Sequence, residues 1–423
     1  MPSLGDGTPR RALLVAVEQT RNGSSFLPPE ESLDELEQLV RSAGDTVVGR
    51  VVQRLDQPHP VSYLGRGKVH ELRSLHDELR FDAVVADDEL TPGQQRHLES
   101  ELEAEIADRT AVILHLFAKH ARTREGRLQV ELAQYRYRLP RLTGRGVELS
   151  RLGAGINTRG PGETKLETDR RRIRKRIGDL TEAIDDIRKQ RLMHRRQRSE
   201  AGLPVLALAG YTNAGKSTLM NRLTAAGVLQ SNVMFATLDP TTRQLELPNN
   251  LQVLLTDTVG FIQKLPTDLV AAFRATLEEI QDADAILHVV DVSHPDRDAQ
   301  ASAVEEELED LGVAGRPRIT VLNKIDLIEM AQLPLLLKRH PSAVGVSAAT
   351  GQGVEGLERR MAQLVAEAYI PVKVRIPYAQ ADAVNLFHRR GMIEREDHRT
   401  AGTVIVGRLP ASLISRFEEF LTA

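Results

Sequence analysis

A chain of 423 residues is too long for one ordinary hydrophobic core, so two to four domains are expected. Apolar residues make up 41% of the chain and charged residues 27%, which is typical of a soluble globular protein. The absence of cysteine excludes disulfides and thiolate metal sites. No run approaches the roughly 20 apolar residues of a membrane span, so the sequence predicts a cytoplasmic protein.

The net charge of −3 hides a strong asymmetry along the chain. Between Lys119 and Arg198, 23 lysines and arginines stand against 10 acidic residues, an excess of 13 positive charges. The remainder of the chain therefore carries a net charge of −16. A single-sign patch of this kind is typical of a protein that contacts a polyanion with one element.

The first 117 residues alternate β-rich runs with helical patterns, which predicts a small parallel α/β unit. The predicted strands are Ala12–Val17, Thr46–Gln53, Asp82–Ala86 and Ala111–Phe117, and the predicted helices are Glu31–Val40, Val69–Leu79 and Pro92–Glu105. Lys68 follows Gly65-Arg66-Gly67 but lacks the spacing of a phosphate loop. A turn is therefore favoured there, with a second nucleotide site as the alternative.

Two apolar stripes with heptad-like spacing flank a glycine-rich segment in the basic region. The stripes consist of Leu128, Leu132, Tyr135 and Leu139, then Ile173, Ile177, Leu180, Ile184 and Ile187. Residues 143–164 separate them and contain Arg145, Arg151 and Arg159. The pattern predicts an antiparallel helical hairpin, called the arm below, in which the two apolar stripes pack against each other. Its second helix, from about residue 166 to 198, would be roughly 50 Å long.

The rest of the chain predicts two further domains. A doubly wound α/β domain begins after Gly202, and Pro371 opens a small α+β domain. The predicted division is 1–117 for the N-terminal α/β unit, 118–200 for the basic hairpin, 203–370 for the doubly wound domain and 371–423 for the C-terminal domain. The overall fold class is therefore α/β.

Gly210-Tyr-Thr-Asn-Ala-Gly-Lys-Ser217 fits the phosphate-loop pattern between a predicted strand and a predicted helix. Its backbone N–H groups would surround the β-phosphate. Lys216 would neutralise phosphate oxygens and Ser217 would ligate Mg²⁺. Asp257-Thr-Val-Gly260 follows another strand, where the aspartate reaches Mg²⁺ through water and the glycine N–H meets the γ-phosphate.

Asn323-Lys324-Ile325-Asp326 predicts that the base is guanine. A carboxylate at Asp326 accepts hydrogen bonds from the guanine N1–H and amine, a donor pair that adenine lacks. The predicted nucleotide-binding residues are Gly210, Asn213, Ala214, Gly215, Lys216, Ser217, Thr218, Asp257, Gly260, Asn323, Lys324, Asp326, Ser347 and Ala348.

Thr237 is the predicted switch threonine, although Thr241 and Thr242 compete for that role. The predicted metal ligands are Ser217, Thr237 and, through water, Asp257, and the predicted catalytic groups are Lys216, Thr237 and Gly260. Phe261 stands where Ras-type enzymes carry a glutamine that orients the attacking water. Slow GTP hydrolysis that a partner stimulates is therefore predicted, although Phe261 also suits an apolar anchor.

These motifs resemble the HflX family of P-loop GTPases. The resemblance includes Phe235–Arg243, Asp257–Ile262, Gly160–Arg171 and Tyr63–Lys68, and it extends over nearly the whole chain. It implies a GTPase that uses GTP/GDP and Mg²⁺, binds the large ribosomal subunit and its rRNA, and splits stalled or idle ribosomes under stress. We expect the protein to be monomeric.

The charge excess agrees with this implication, since Lys and Arg contacts to phosphate release counterions. The predicted RNA contacts are Arg145, Arg151, Arg159 and Tyr137, with Tyr137 chosen because it lies off the apolar stripe. Two alternatives remain open. One is an RNA-remodelling NTPase that uses ATP as well as GTP, and the other is a protein-interaction switch without RNA.

Overall fold

The computed structural model describes residues 9–20, 28–142, 161–200, 203–224, 234–235, 239–248, 251–264, 274–329 and 331–422. These residues fall into two compact units. The first unit comprises Met1–Ile187, Asn232–Asp239 and Ile262–Arg274, and the second comprises Arg188–Ser231, Pro240–Phe261 and Ala275–Ala423. The predicted finer division into four domains stays a prediction.

The first unit contains a four-stranded parallel sheet of order β2-β1-β3-β4. Its elements are β1 (Arg11–Gln19), α1 (Pro29–Ala43), β2 (Thr46–Leu55), α2 (Arg66–Leu79), β3 (Ala83–Ala86), α3 (Pro92–Leu102), β4 (Glu105–Asp108), α4 (Arg109–His120) and α5 (Arg124–Arg141). Strand β1 is buried from Ala12 to Val17, as expected for a central parallel strand. The predicted parallel α/β arrangement is confirmed.

The predicted strand Ala111–Phe117 is wrong, because these residues lie within helix α4. Asp108 caps this helix by accepting a hydrogen bond from the Ala111 N–H at 2.8 Å. Nearly every side chain from Arg109 to Phe117 is buried, so the helix is apolar all round and its sequence resembles that of a buried strand. The missed fourth strand is β4, which takes Glu105 from the end of the predicted helix 92–105.

Helix α6 (Pro161–Glu200) follows the glycine-rich segment, which lies outside the described residues. Leu180 is buried, and Ile173, Ile177, Ile184 and Ile187 are half-buried, so the predicted stripe is the protected face of the helix. Arg176 forms a bidentate ion pair with Glu131 of α5, with N–O distances of 2.8 and 3.0 Å. The two helices of the predicted arm are therefore in contact.

The second unit contains a six-stranded sheet of order β10-β9-β8-β5-β7-β6, in which only β6 is antiparallel. Its elements are β5 (Val205–Gly210), α7 (Lys216–Thr224), β6 (Thr241–Leu247), β7 (Leu251–Asp257), α8 (Arg274–Gln281), β8 (Ala285–Asp291), α9 (Arg297–Asp310), β9 (Arg318–Asn323), α10 (Gln332–Arg339), β10 (Val344–Gly345) and α11 (Val354–Glu367). Parallel β5, β7, β8 and β9 place their carboxyl ends along one edge, where ligands bind in such sheets.

A three-stranded antiparallel sheet of order β11-β13-β12 follows in the same unit. Its elements are β11 (Ile370–Ile376), α12 (Ala381–Arg390), β12 (Met392–Arg399), β13 (Gly402–Leu409) and α13 (Ala411–Phe417). Phe387 and Phe417 pack edge to face in its core, with ring centroids 5.5 Å apart. The predicted β-α-β-β-α order is confirmed.

Candidate active site

The loop from β5 to α7 is held in one conformation by its neighbours. Gly215 adopts φ +92°, a value that L side chains rarely take, and a Cβ there would lie 2.3 Å from Asn323 Nδ2. Asn213 also has a positive φ, of 62°. Lys216 and Ser217 begin helix α7, so the loop leads directly to a helix N-terminus. This is the strand–loop–helix geometry that binds phosphate through backbone N–H groups.

Lys216 is buried inside this loop. Its Nζ donates hydrogen bonds to the carbonyl oxygens of Gly210 and Tyr211, both at 2.9 Å. Burial lowers the pKa of Lys216 to about 8, partly offset by the charge of Asp257. The ammonium is therefore still mostly protonated at pH 7, and its positive charge is available to phosphate.

A hydroxyl and a carboxylate meet beside the loop. Ser217 Oγ donates to Asp257 Oδ2 at 2.7 Å, which joins the start of α7 to the end of β7. Both are hard oxygen donors of the kind that Mg²⁺ prefers, so the donor set fits this ion. Thr237, the third predicted ligand, lies outside the described residues.

The segment after β7 contacts the phosphate loop through backbone atoms. A Cβ at Gly260 would lie 2.8 Å from both Lys216 Nζ and Thr212 Cα, so the approach requires glycine. Phe261 donates its N–H to Gly210 O at 3.1 Å and accepts from Thr212 N–H at 2.7 Å. Its ring is buried in an apolar cluster with Tyr211 and Ile280, so Phe261 is an anchor and cannot orient water.

Asn323 links the phosphate loop to the predicted base-binding loop. Its side-chain Nδ2 donates to Ala214 O at 2.8 Å, and its Oδ1 accepts from the Ala348 N–H at 3.0 Å. Asp326 is exposed, and Ser347 is fully buried. The structure thus brings together the ends of β5, β9 and β10, as the sequence predicts.

Two residues of this region were missed by sequence reasoning. Asp291 at the end of β8 pairs with Lys324 Nζ at 2.6 Å, which fixes the lysine of the base-binding motif. Arg222 donates from Nε to Ala348 O at 3.1 Å and so holds the Ser347-Ala348 loop. A carboxylate at the end of a central parallel strand is the one sequence feature that points to Asp291.

The prediction that Tyr137 contacts RNA is wrong. Tyr137 is only 8% exposed, and its hydroxyl donates to Asp108 Oδ1 at 2.9 Å. The guanidinium of Arg141 lies 3.5 Å from the ring centroid. The side chain lies off the predicted stripe because helix α5 buries a second face against the α/β core. Arg145, Arg151 and Arg159 lie outside the described residues.

Lys68 does not lie in a phosphate loop. Gly65 is the N-cap residue of α2, and Lys68 Nζ pairs with Glu71 at 2.7 Å within that helix. The favoured interpretation, a turn, is wrong for Arg66 to Lys68, because these residues form the first turn of α2.

Comparison with known proteins agrees with the interpretation of this region as a GTP-binding site. Three family models match: GTP-binding GTPase N-terminal over residues 30–118, GTP-binding GTPase Middle Region over 120–198 and 50S ribosome-binding GTPase over 205–324. A GTPase HflX of Lacrimispora saccharolytica is 46% identical over 407 residues, covering 96% of this chain and 95% of that protein. The chain belongs to the HflX family of GTPases.

Other relatives of this HflX-family chain include the GTPase HflX of Escherichia coli K12, which is 39% identical over 88% of both proteins. A solved GTP-binding protein of Sulfolobus solfataricus, in complex with GDP, is 23% identical, and the match covers 85% of this chain and 99% of that one with a TM-score of 0.45.

Membership of this family makes the chain a GTP hydrolase that binds GTP and GDP. Among the helices that the structure describes, none combines the length and the apolar character needed to cross a membrane.

Proposed function

We propose that this HflX-family GTPase binds the large ribosomal subunit and dissociates stalled or idle ribosomes in its GTP-bound form. The charge pattern of helix α6 carries the proposal. Arg170 to Arg176 contain six positive charges and no negative one. Asp179 to Asp186 then contain four negative charges and no positive one. We assign contact with a polyanion to the basic block nearest the glycine-rich tip, although six further positive charges follow at residues 188–198.

The exposure of this basic block supports contact with RNA. Arg171, Arg172, Arg174, Lys175 and Arg176 are all exposed, and the acidic block beyond them faces solvent with Asp179, Glu182, Asp185 and Asp186. Phosphate groups bind the first block and are repelled by the second. The description of the matching family model as a 50S ribosome-binding GTPase supports rRNA of the large subunit as this polyanion.

Each residue of the nucleotide site has its own role in the proposed function. Lys216 neutralises phosphate charge, and Asp326 reads the guanine base. Ser217 and Thr237 would hold Mg²⁺ directly and Asp257 would hold it through water, and the ion would supply positive charge to the phosphates. The Gly260 N–H is the group that would contact the γ-phosphate.

Cosedimentation with isolated large subunits at increasing salt tests the proposal. Binding in the presence of a non-hydrolysable GTP analogue should weaken steeply, with a log–log slope of roughly −4 if six phosphate contacts are made. Small subunits are the matched control and should bind much more weakly. Salt-insensitive binding, or equal binding to both subunits, would contradict the proposal.

A further inference from the structure

The chain passes from the second unit into the first at two places, and both adjoin the nucleotide motifs. Residues Asn232–Asp239 contain the predicted switch threonine, and Ile262–Arg274 begin two residues after Gly260. Both segments belong to the first unit. The described residues of these segments are 234–235, 239, 262–264 and 274. Phe235, Asp239 and Lys264 make the contacts on which the inference rests.

Asp239 caps the first helix of the arm. Its carboxylate accepts hydrogen bonds from the Arg122 N–H at 2.8 Å and the Thr123 N–H at 2.7 Å, and also from the Thr123 hydroxyl. Thr123 is the N-cap residue of α5 and accepts from the Gly126 N–H at 2.9 Å. A negative charge at a helix N-terminus is stabilising. The start of α5 therefore depends on a carboxylate from more than 100 residues later in the chain.

Gly126 leaves the space that the Asp239 carboxylate occupies, because glycine has no side chain. A Cβ at position 126 would lie 2.2 Å from Asp239 Oδ1, a separation that real Cβ atoms essentially never show. Glycine is a poor helix former, so its presence in the first turn of α5 costs stability. The close approach of Asp239 is the physical reason for a glycine here.

Lys264 anchors the second segment. Its Nζ pairs with Asp88 at 2.6 Å and also with Asp87. Asp87 is buried and pairs with Arg109 at 2.6 Å. Burial alone would raise the pKa of Asp87, but Arg109 and Lys264 together lower it, so this carboxylate stays ionised.

An aromatic contact holds the first segment beside the Asp239 cap. Phe235 is buried, and its ring packs against Phe117 of α4 at an angle of 65°, with centroids 4.5 Å apart. Phe235 also has a positive φ of 59°, a strained value for an aromatic residue that the packing must maintain. The contacts of Phe235 and Asp239 fix both sides of Thr237 in the sequence.

We propose that Asp239 and Lys264 are positioning residues that hold the two switch segments on the first unit, and that GTP binding releases Asp239 from the start of α5. The inference rests on the proposed function, because it takes Thr237 as the switch threonine. The γ-phosphate and Mg²⁺ order such switch segments around the nucleotide. Asp239 is two residues from Thr237, at most about 7 Å of extended chain, so a rearrangement of Thr237 around the nucleotide is passed directly to Asp239.

Hydrogen exchange of the amides at residues 122–126 tests the release. With GDP bound, these amides should be protected, and with a non-hydrolysable GTP analogue they should exchange about fivefold faster, in the range of helix-cap effects. Asp239→Ala, which removes the acceptor, should exchange fast with both nucleotides. Equal or slower exchange with the analogue in the parent protein would overturn the proposal.

Nucleotide affinity supplies the reciprocal test, since coupling between two sites acts in both directions. Gly126→Ala should expel Asp239 and raise the affinity for the GTP analogue relative to GDP by about fivefold. Gly178→Ala, in α6, is the matched control because its Cβ meets no atom within 4 Å, and it should leave the ratio unchanged.

Asp239→Ala repeats the affinity test at a half-exposed position where folding is not at risk. An unchanged ratio in both the Asp239→Ala and Gly126→Ala variants would contradict the coupling. Neither measurement uses ribosomes, so loss of the proposed ribosome binding and loss of this coupling are separate results.

Discussion

The nucleotide loop and the anchors of the switch segments are stabilised by different kinds of contact. In the loop, Asn323 packs against Gly215 and forms buried hydrogen bonds with the backbone of Ala214 and Ala348. In the anchors, the Asp239 carboxylate is half-exposed, and partly exposed Lys264 pairs with half-buried Asp88 as well as with buried Asp87. Buried hydrogen bonds are expensive to break, whereas exposed charge pairs exchange readily with water. A rigid site that binds nucleotide is thus joined to segments that can change partners.

Gly215→Ala should have the largest effect on the rigid site. The new Cβ would displace Asn323, which bridges Ala214 O and Ala348 N–H, in a backbone conformation that favours glycine. Affinity for GDP, measured by calorimetry, should fall on the order of a hundredfold.

Gly315→Ala is the matched control, because a Cβ there meets no atom within 4 Å. It should bind GDP like the parent. If Gly215→Ala also bound GDP normally, the rigidity assigned to the loop would be wrong.

Asp326→Asn tests the base-reading group of the same site. The asparagine carbonyl cannot accept from both the guanine N1–H and amine, so GTP affinity should fall about ten- to a hundredfold. Its NH₂ can donate to the extra oxygen of xanthine, so xanthosine triphosphate should become the preferred nucleotide in competition binding. Unchanged selectivity for GTP would place the base-reading carboxylate elsewhere.

The rate of GTP hydrolysis tests whether a partner completes the nucleotide site. Because the Phe261 side chain is buried among apolar residues, no polar group at that position orients water, and basal GTP hydrolysis should be slow. Large ribosomal subunits should raise the single-turnover rate at least about tenfold, and small subunits should not. A fast basal rate that ribosomes leave unchanged would remove the case for a partner-completed site.

Tyr137→Phe should give the smallest effect, confined to stability. Loss of the hydrogen bond to buried Asp108 should lower the free energy of unfolding by about 1–2 kcal/mol. Tyr135→Phe, at a half-buried position of the same helix, should be nearly neutral. Ribosome binding should survive both changes, and its loss in Tyr137→Phe alone would restore the RNA-contact interpretation.

The sequence predicted the nucleotide loop well for a physical reason. Gly215, Lys216 and Asp257 belong to short motifs at or just after the ends of strands. The residue spacing of these motifs is therefore enough to predict where the three residues lie. The N-terminal sheet was predicted less well, because helix α4 is buried on nearly all sides and loses the amphipathic pattern that identifies a helix.

Long-range contacts explain the remaining misses. The burial of Tyr137 depends on Asp108, and the glycine at position 126 depends on Asp239, which is more than 100 residues away. Neither contact leaves a periodic pattern in the sequence. Such pairs become visible only when the fold brings the partners together.

Light scattering of intact ribosomes tests the central claim most directly. Residues 143–160 would be replaced by a short neutral linker, which leaves helices α5 and α6 and the whole second unit unchanged. With GTP, the variant should fail to split ribosomes that the parent protein splits, while its GDP affinity stays within about twofold. If the variant splits ribosomes as well as the parent, the glycine-rich tip is only a connector and the function assigned to the arm is wrong.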